Sequence, residues 1–346
     1  NNTTGGSNVA LGRYALESNT TASENTGVGY RAAYENTTGG GNTAIGTQAL
    51  DANSTGANNV AVGHDALKAA TGGEAVAIGY AALATMTTAV RNTAVGTEAL
   101  NASTTGYNNT AIGYVAGKAM TEGYQNTLVG DRAGTAITTG NNNTAIGQHA
   151  LKTATTADAN TAIGFDALTL NTSGQYNTAL GAYAMDSNTE GLRNVAIGYD
   201  SGRGNSPGGN ITTESNRIVL GNNNHTSAHI KVDWTVSSDE RDKSDITDFS
   251  HGLNYVNQLR PVNYVWDNRT DYEDNVRDGT HKKDLIDIGF LAQEVKTIET
   301  DLGISNHAIV DTTNPDTFGI KYARLIPVLV NAIQELSAEI EILKAK

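Results

Sequence analysis

The chain has 346 residues, of which 38 are glycine and 4 proline, with 17% charged and 6% aromatic side chains. Its formal net charge of −13 argues against the basic surface that non-specific nucleic-acid binding needs. The absence of cysteine excludes disulfides and thiolate zinc sites. No apolar run approaches the roughly 18 residues of a membrane helix, so membrane insertion is not expected. Asn1, Asn2, Thr3 and Thr4 lack signal-peptide character and open in mid-pattern, as the interior of a longer protein would.

One pentad recurs through the first two hundred residues, as in Asn42-Thr43-Ala44-Ile45-Gly46. Its closing glycines fall at Gly12, Gly29, Gly46, Gly63, Gly79, Gly96, Gly113, Gly130, Gly147, Gly164, Gly181 and Gly198, every 17 residues except for one step of 16. A period this constant marks a solenoid, each repeat being one coil stacked on the last. The residue before each glycine is aliphatic and the one two places earlier is Thr or Val, so alternation along a strand predicts one buried β-branched stripe. Ala stands between them in most repeats and predicts a second tight face. Asn opens eleven of the twelve pentads, and stacked amides form hydrogen-bonded ladders.

Ala three residues past the glycine, often followed by Leu, predicts a second short buried strand. Polar stretches such as Asn53-Ser54-Thr55-Gly56 are turns. Twelve coils at ~4.8 Å each rise about 58 Å. Such a thin coil encloses little apolar volume, so several chains are expected to share the core, with the Ala face allowing close approach. The pattern resembles the heads of trimeric autotransporter adhesins and repetitive phage-fibre shafts, which implies a homotrimer.

The rhythm fails after Gly198. Residues 203–210 are rich in Gly, Ser, Pro and Asn, which reads as a linker; residues 217–221 echo the pentad, and residues 229–236 alternate like an exposed strand. The expected division is a solenoid shaft over 1–202, a linker with terminal strands over 203–237, and a smaller α-rich α+β domain over 238–346. At the end, Ile326, Leu329, Ile333, Leu336, Ile340 and Leu343 recur at alternating steps of three and four, a heptad seam with Glu335, Glu339, Glu341 and Lys344 off it. A seam under three heptads is marginal alone, so this helix is expected to trimerise.

Four blocks in this third carry a more specific resemblance. Ser238-Asp239-Glu240-Arg241-Asp242-Lys243-Ser244-Asp245-Ile246 precedes Leu259-Arg260-Pro261-Val262-Asn263-Tyr264-Val265-Trp266. Gly289-Phe290-Leu291-Ala292-Gln293-Glu294-Val295 follows, then Tyr322-Ala323-Arg324-Leu325-Ile326-Pro327-Val328-Leu329. In that order they resemble the endosialidase-type intramolecular chaperone that ends phage tail fibres and tailspikes. The resemblance implies a trimeric fibre of a virion tail, assembled in the host cytoplasm and binding a host cell-surface receptor, a glycan among the candidates. It implies a single self-cleavage between Ser237 and Ser238, by a dyad of nucleophile Ser238 and general base Lys243, with no cofactor and no metal. The rival readings are a bacterial surface adhesin or structural protein using the same module, and the non-catalytic end of a polysaccharide depolymerase.

The chemistry sets a condition. An amine acting as base must be neutral, whereas lysine ordinarily titrates near 10.4, so dry surroundings or nearby cations are required. Arg241 is the neighbouring cation, opposed by Asp239, Glu240 and Asp242. Ser237 and Ser244 compete for the nucleophile's role; the five-residue spacing to lysine favours Ser238. Elsewhere, Tyr30, Tyr80, Tyr114, Phe165 and Tyr199 follow repeat glycines in register and are read as covers over neighbouring coils in preference to sugar platforms. His225 and His229, four apart in an extended stretch, do not align as metal ligands. The shaft's scattered acids give no paired-carboxylate site.

Overall fold

The computed structural model describes residues 1–225, 227–231, 235–304, 308–314 and 317–346. They form two compact units, Asn1–Asn222 and Asn223–Lys346.

The first unit is a β-solenoid. Each coil supplies one three-residue strand, and thirteen of these, from β1 (Val9–Leu11) to β13 (Ile218–Leu220), form a single parallel sheet in chain order. Pairing keeps the repeat in phase: Thr110 lies beside Thr127 and Ile112 beside Val129. At the 16-residue step Val60 still pairs with Val76, because the residue is lost from the intervening loop. Residues 203–222 fold with the shaft. Ile211 is buried in its core, Ile218 pairs with Val195, and Arg203 bonds Asp186 at 3.1 Å and Asp200 at 2.8 Å.

The coil interior reverses the face assignment expected from the sequence. Inside the stack the central Ala of the strand, such as Ala44, Ala111 and Ala145, is fully buried, while the flanking Thr or Val and the aliphatic residue point outward. In the terminal strand β1 Ala10 is exposed, and Gly27, Leu128 and Val219 take the central place in β2, β8 and β13. Ile112 and Ile146 are 41% and 38% exposed. The reason is width. One strand and its return loops enclose room for a methyl at each strand centre, and the remaining interior is filled by pairs such as Ala49–Leu50 and Ala150–Leu151. Those pairs were expected as a second strand. They are buried as anticipated but lie in a run of turns, with Gln48 at φ 56° and Leu50 at φ 55°, so each coil has one strand.

Two features fix the stack. Each pentad glycine backs directly onto the glycine of the next coil: Gly130 has φ +139°, and a Cβ there would stand 2.5 Å from the Gly147 carbonyl oxygen. The pentad asparagines form the expected ladder. Asn143 Nδ2 donates to Asn126 Oδ1 at 3.1 Å and to the Ala157 carbonyl at 2.7 Å, while its own Oδ1 accepts from the Asn160 amide at 3.0 Å. The ladder is interrupted where Ala75 replaces asparagine, and resumes at Asn92. A second ladder, Asn19–Asn36–Asn53, runs through the loops. Aromatic rings do bridge neighbouring coils, as in Tyr14–Tyr30 at 6.0 Å and Phe165–Tyr183 at 5.1 Å between centroids.

The second unit is α+β: α1 (Leu253–Val256), β14 (Val262–Val265), β15 (Ile286–Gly289), α2 (Ala292–Asp301), β16 (Val310–Asp311), β17 (Gly319–Ile320) and α3 (Leu325–Lys344). β14 pairs with β15 and β16 with β17, both antiparallel. Tyr255, Val295, Ile298, Ile309, Val310, Leu325 and Val328 make its core. Glu299 is buried beside them, its carboxylate accepting from the Ile309 amide at 2.7 Å and the Val310 amide at 3.3 Å. Of the stretch expected as an exposed strand, residues 232–234 lie outside the described residues, and 229–231 and 235–236 are exposed without strand pairing.

Truncating one ladder amide should be expensive. Asn143→Ala strands the Ala157 carbonyl and the Asn160 amide, at about 1–3 kcal/mol each, so the shaft should lose about 2–6 kcal/mol. Exposed Gln148→Ala should cost within about 0.5 kcal/mol. Urea unfolding of both variants decides, and equal midpoints would remove the ladder as a source of stability.

Candidate functional site

The site is built from one short turn. Asp239 is extended and its side chain accepts from the Arg241 amide at 2.9 Å, which caps a single 3-10 turn over Glu240–Asp242. Lys243 closes the turn, its amide donating to the Glu240 carbonyl at 3.0 Å, and continues in extended geometry. The chain therefore doubles back, and residues five apart meet. Lys243 Nζ lies 2.7 Å from Ser238 Oγ and 3.1 Å from the Ser238 carbonyl oxygen. Reach for proton transfer is satisfied. Ser244 Oγ instead donates to Asp245 Oδ2 at 3.2 Å.

Charge around the arch is ordered locally. The Arg241 guanidinium forks onto Asp239, with Nε–Oδ1 at 3.0 Å and Nη2–Oδ2 at 2.6 Å. Hydrogen bonds from the Arg241 side chain and then its backbone amide hold the Asp239 carboxyl below the usual carboxylate range. The same pair raises the Arg241 guanidinium. Arg241, expected from the sequence as the cation beside the lysine, is thus engaged by Asp239, whose contribution is to hold the turn. Ser237, Ser238, Lys243 and the residues between them are all exposed in a single chain. The arrangement can pass a proton between hydroxyl and amine once the amine is neutral, and it brings no dry wall of its own.

Sequence reasoning missed the residues that anchor this segment further on. Asn331 Nδ2 on α3 donates to the Phe249 carbonyl at 2.8 Å. The Glu335 carboxylate accepts from the Gly252 amide at 3.2 Å and the Leu253 amide at 2.6 Å. Glu335 appears in the sequence only as a charge beside a heptad seam; the signal that could have found it is its place in a second stripe, Leu325, Val328, Ala332 and Glu335, with the same three-four spacing. In the neighbouring block, Arg260 pairs with Glu294, joining two of the sequence motifs.

The family model described as "Chaperone of endosialidase" matches residues 238–304, beginning at Ser238. No curated protein and no solved structure matches the chain.

Acid should leave the turn closed for longer than an ordinary carboxylate would allow. Because the folded Asp239 carboxyl is lowered, its contribution is present above the unfolded value near 3.9 and is lost only as pH falls through the lower folded value. An NMR titration of the Arg241 amide should show its main transition below the normal aspartate range. A transition at or above that range would contradict the cap.

Proposed function

We propose that this chain is the end of a phage-type tail fibre or tailspike whose C-terminal unit aligns three copies, assists their folding and then severs itself from the shaft at Ser237–Ser238. The observation that carries the proposal is the 2.7 Å approach of Lys243 Nζ to Ser238 Oγ at the first residue of the endosialidase-chaperone match. The reaction moves few atoms. Neutral Lys243 takes the Ser238 hydroxyl proton, and Oγ attacks the Ser237 carbonyl carbon. The Ser237–Ser238 C–N bond breaks as the nitrogen takes a proton, leaving the Ser237 acyl group as an ester on Oγ. Water then hydrolyses that ester, with Lys243 as general base, giving a new carboxylate at Ser237 and regenerating the hydroxyl.

Two exposed apolar faces support assembly. On the shaft, the −3 and −1 positions before each glycine present Thr, Val, Ile and Leu from thirteen strands, with no charged side chain among them. The stripe repeats at the strand spacing. A partner of different period drifts out of step within a few coils, whereas a parallel copy of the same chain stays matched throughout. On α3, the seam from Ile326 to Leu343 is likewise exposed, Ile333 by 62%. An assembled trimer would also supply the dry surroundings that the Ser238–Lys243 arch lacks by itself.

The order of events follows from kinetics. A parallel rod of shared sheets has high contact order and unpaired edges while it forms. A trimeric template lets winding begin level, and scission afterwards removes the template and traps the product kinetically. Host attachment is the role this reading gives the finished shaft.

Denaturing electrophoresis of the expressed chain should resolve fragments 1–237 and 238–346, whereas Ser238→Ala and Lys243→Met should each remain whole. The same fragments in all lanes would eliminate the dyad. Native mass spectrometry should give a trimer for the wild-type chain, and Ile112→Asp with Ile146→Asp should weaken shaft association at least tenfold while circular dichroism stays unchanged. A wild-type monomer at micromolar concentration, or a double variant that assembles normally, would end the claim that the exposed stripe joins copies.

A further inference from the structure

The inner stripe of α3 has a use beyond packing. Leu325, Val328 and Ala332 are buried against the unit's own core, and the next position of that stripe is Glu335. Its carboxylate receives both the Gly252 and Leu253 amides, and one turn earlier Asn331 holds the Phe249 carbonyl. The fit is close: a Cβ on Gly252 would stand 2.5 Å from Glu335 Oε1 and 2.7 Å from the Ala332 amide nitrogen. Residues 249–253 are therefore strapped to α3 by two side chains and a position that tolerates only glycine. The outer stripe of the same helix, Ile326, Leu329, Ile333 and Leu336, is exposed and turned one residue away. One rod thus carries an outer face free to meet copies and an inner face that grips the segment leading back to the dyad.

That segment is short and is exposed over residues 244–250, and the Ser244 hydroxyl donates to its neighbour Asp245 at 3.2 Å. Six residues from Lys243 to Phe249 span at most about 20 Å. With its far end strapped to the helix, the Ser238–Lys243 arch can search only a small volume beside the assembled rods. Released, it would sample a larger volume, and its effective concentration at any one surface would fall.

We propose that Glu335 and Asn331 are positioning residues for scission, fastening the dyad's tether to the helix through which the copies meet. This rests on the reading that Ser238 and Lys243 cut the chain, and on α3 as an association helix. Neither residue touches the reacting atoms. Their effect is to couple the cut to zipping of α3, so that chains not yet aligned keep their template.

The test uses the full chain refolded from urea, with oligomer followed by native mass spectrometry and scission by electrophoresis over time. Glu335→Ala should assemble and then cut at least tenfold more slowly per oligomer. Glu335→Gln, which keeps an oxygen acceptor, should recover most of that loss. Four glycines inserted between Asp248 and Phe249, with Glu335 intact, should slow the cut severalfold by lengthening the tether. A purely structural role for Glu335 would lower the yield of oligomer and leave the rate within each oligomer unchanged. An assembled Glu335→Ala chain cut within twofold of wild type overturns the clamp. Should that variant fail to assemble, an insertion without effect overturns it instead. A wild-type chain that is never cut overturns the scission reading, and the clamp with it.

Discussion

The width of the coil governs the rest of the shaft. A strand of three residues closed by turns leaves room inside for alanine at its centre, and that single restriction decides where every larger side chain goes. Leucine and methionine sit mostly in the returning turns, as at Leu50, Leu67 and Met120. The one leucine at a strand centre, Leu128, is accommodated because Gly117 and Gly134 stand against its methyls. The β-branched residues that make the strand a strand are displaced outward. The shaft therefore satisfies its backbone almost entirely within one chain, through parallel pairing and amide ladders, while leaving much of its aliphatic surface uncovered. In an ordinary globular domain the two go together, since burying apolar side chains is what draws the backbone into a paired core. Here they are separated, and the separation gives association of copies something left to gain.

Polar ladders suit that arrangement. A buried asparagine with both ends bonded contributes only modestly, but a misplaced one strands several groups at once. Stacking Asn109, Asn126, Asn143, Asn160 and Asn177 at one position penalises a slip of one coil against the next that would bring the following residue, Thr110, Thr127, Thr144, Thr161 or Thr178, where an amide is required. The aliphatic stripe has no such selectivity, since Ile on Val is nearly as good as Ile on Ile. Register within a chain is thus set by the ladder, whereas register between chains in the proposed assembly has no equivalent device along the stripe. A template that starts the copies level answers that gap.

How much of this could be read from residues alone depends on whether the information was periodic. The solenoid, its 17-residue coil, the amide ladder and the turn-forming glycines were legible because twelve copies of one pattern average away local ambiguity. The face assignment was not. Alternation tells which residues share a side, but Thr43 with Ile45 against Ala44 can be turned either way, and hydrophobicity favours the wrong choice unless the interior width is known. The second strand failed for a related reason: the Ala49–Leu50 pair is buried as expected, but left-handed backbone at Gln48 and Leu50, which sequence seldom signals in non-glycine residues, keeps it a turn. In the C-terminal unit the closeness of Ser238 and Lys243 was a matter of spacing, while Asn331 and Glu335 act across about eighty residues of chain. No local pattern announces a contact of that kind.

The arch itself illustrates why geometry and reactivity must be kept apart. A capped turn is sufficient to bring a hydroxyl and an amine to 2.7 Å, and such turns form readily on protein surfaces. What distinguishes a nucleophile from a surface hydrogen bond is the protonation of the amine, and that is set by its desolvation and its charged neighbours. Under the proposed function, an exposed site in a single chain is the arrangement a self-cutting template would require. If the dyad were dry within each monomer, scission could precede alignment and release an unfolded shaft from its guide. In the proposed reading, placing the reacting atoms correctly while leaving their desolvation to the assembly would make the cut depend on the event it is meant to follow.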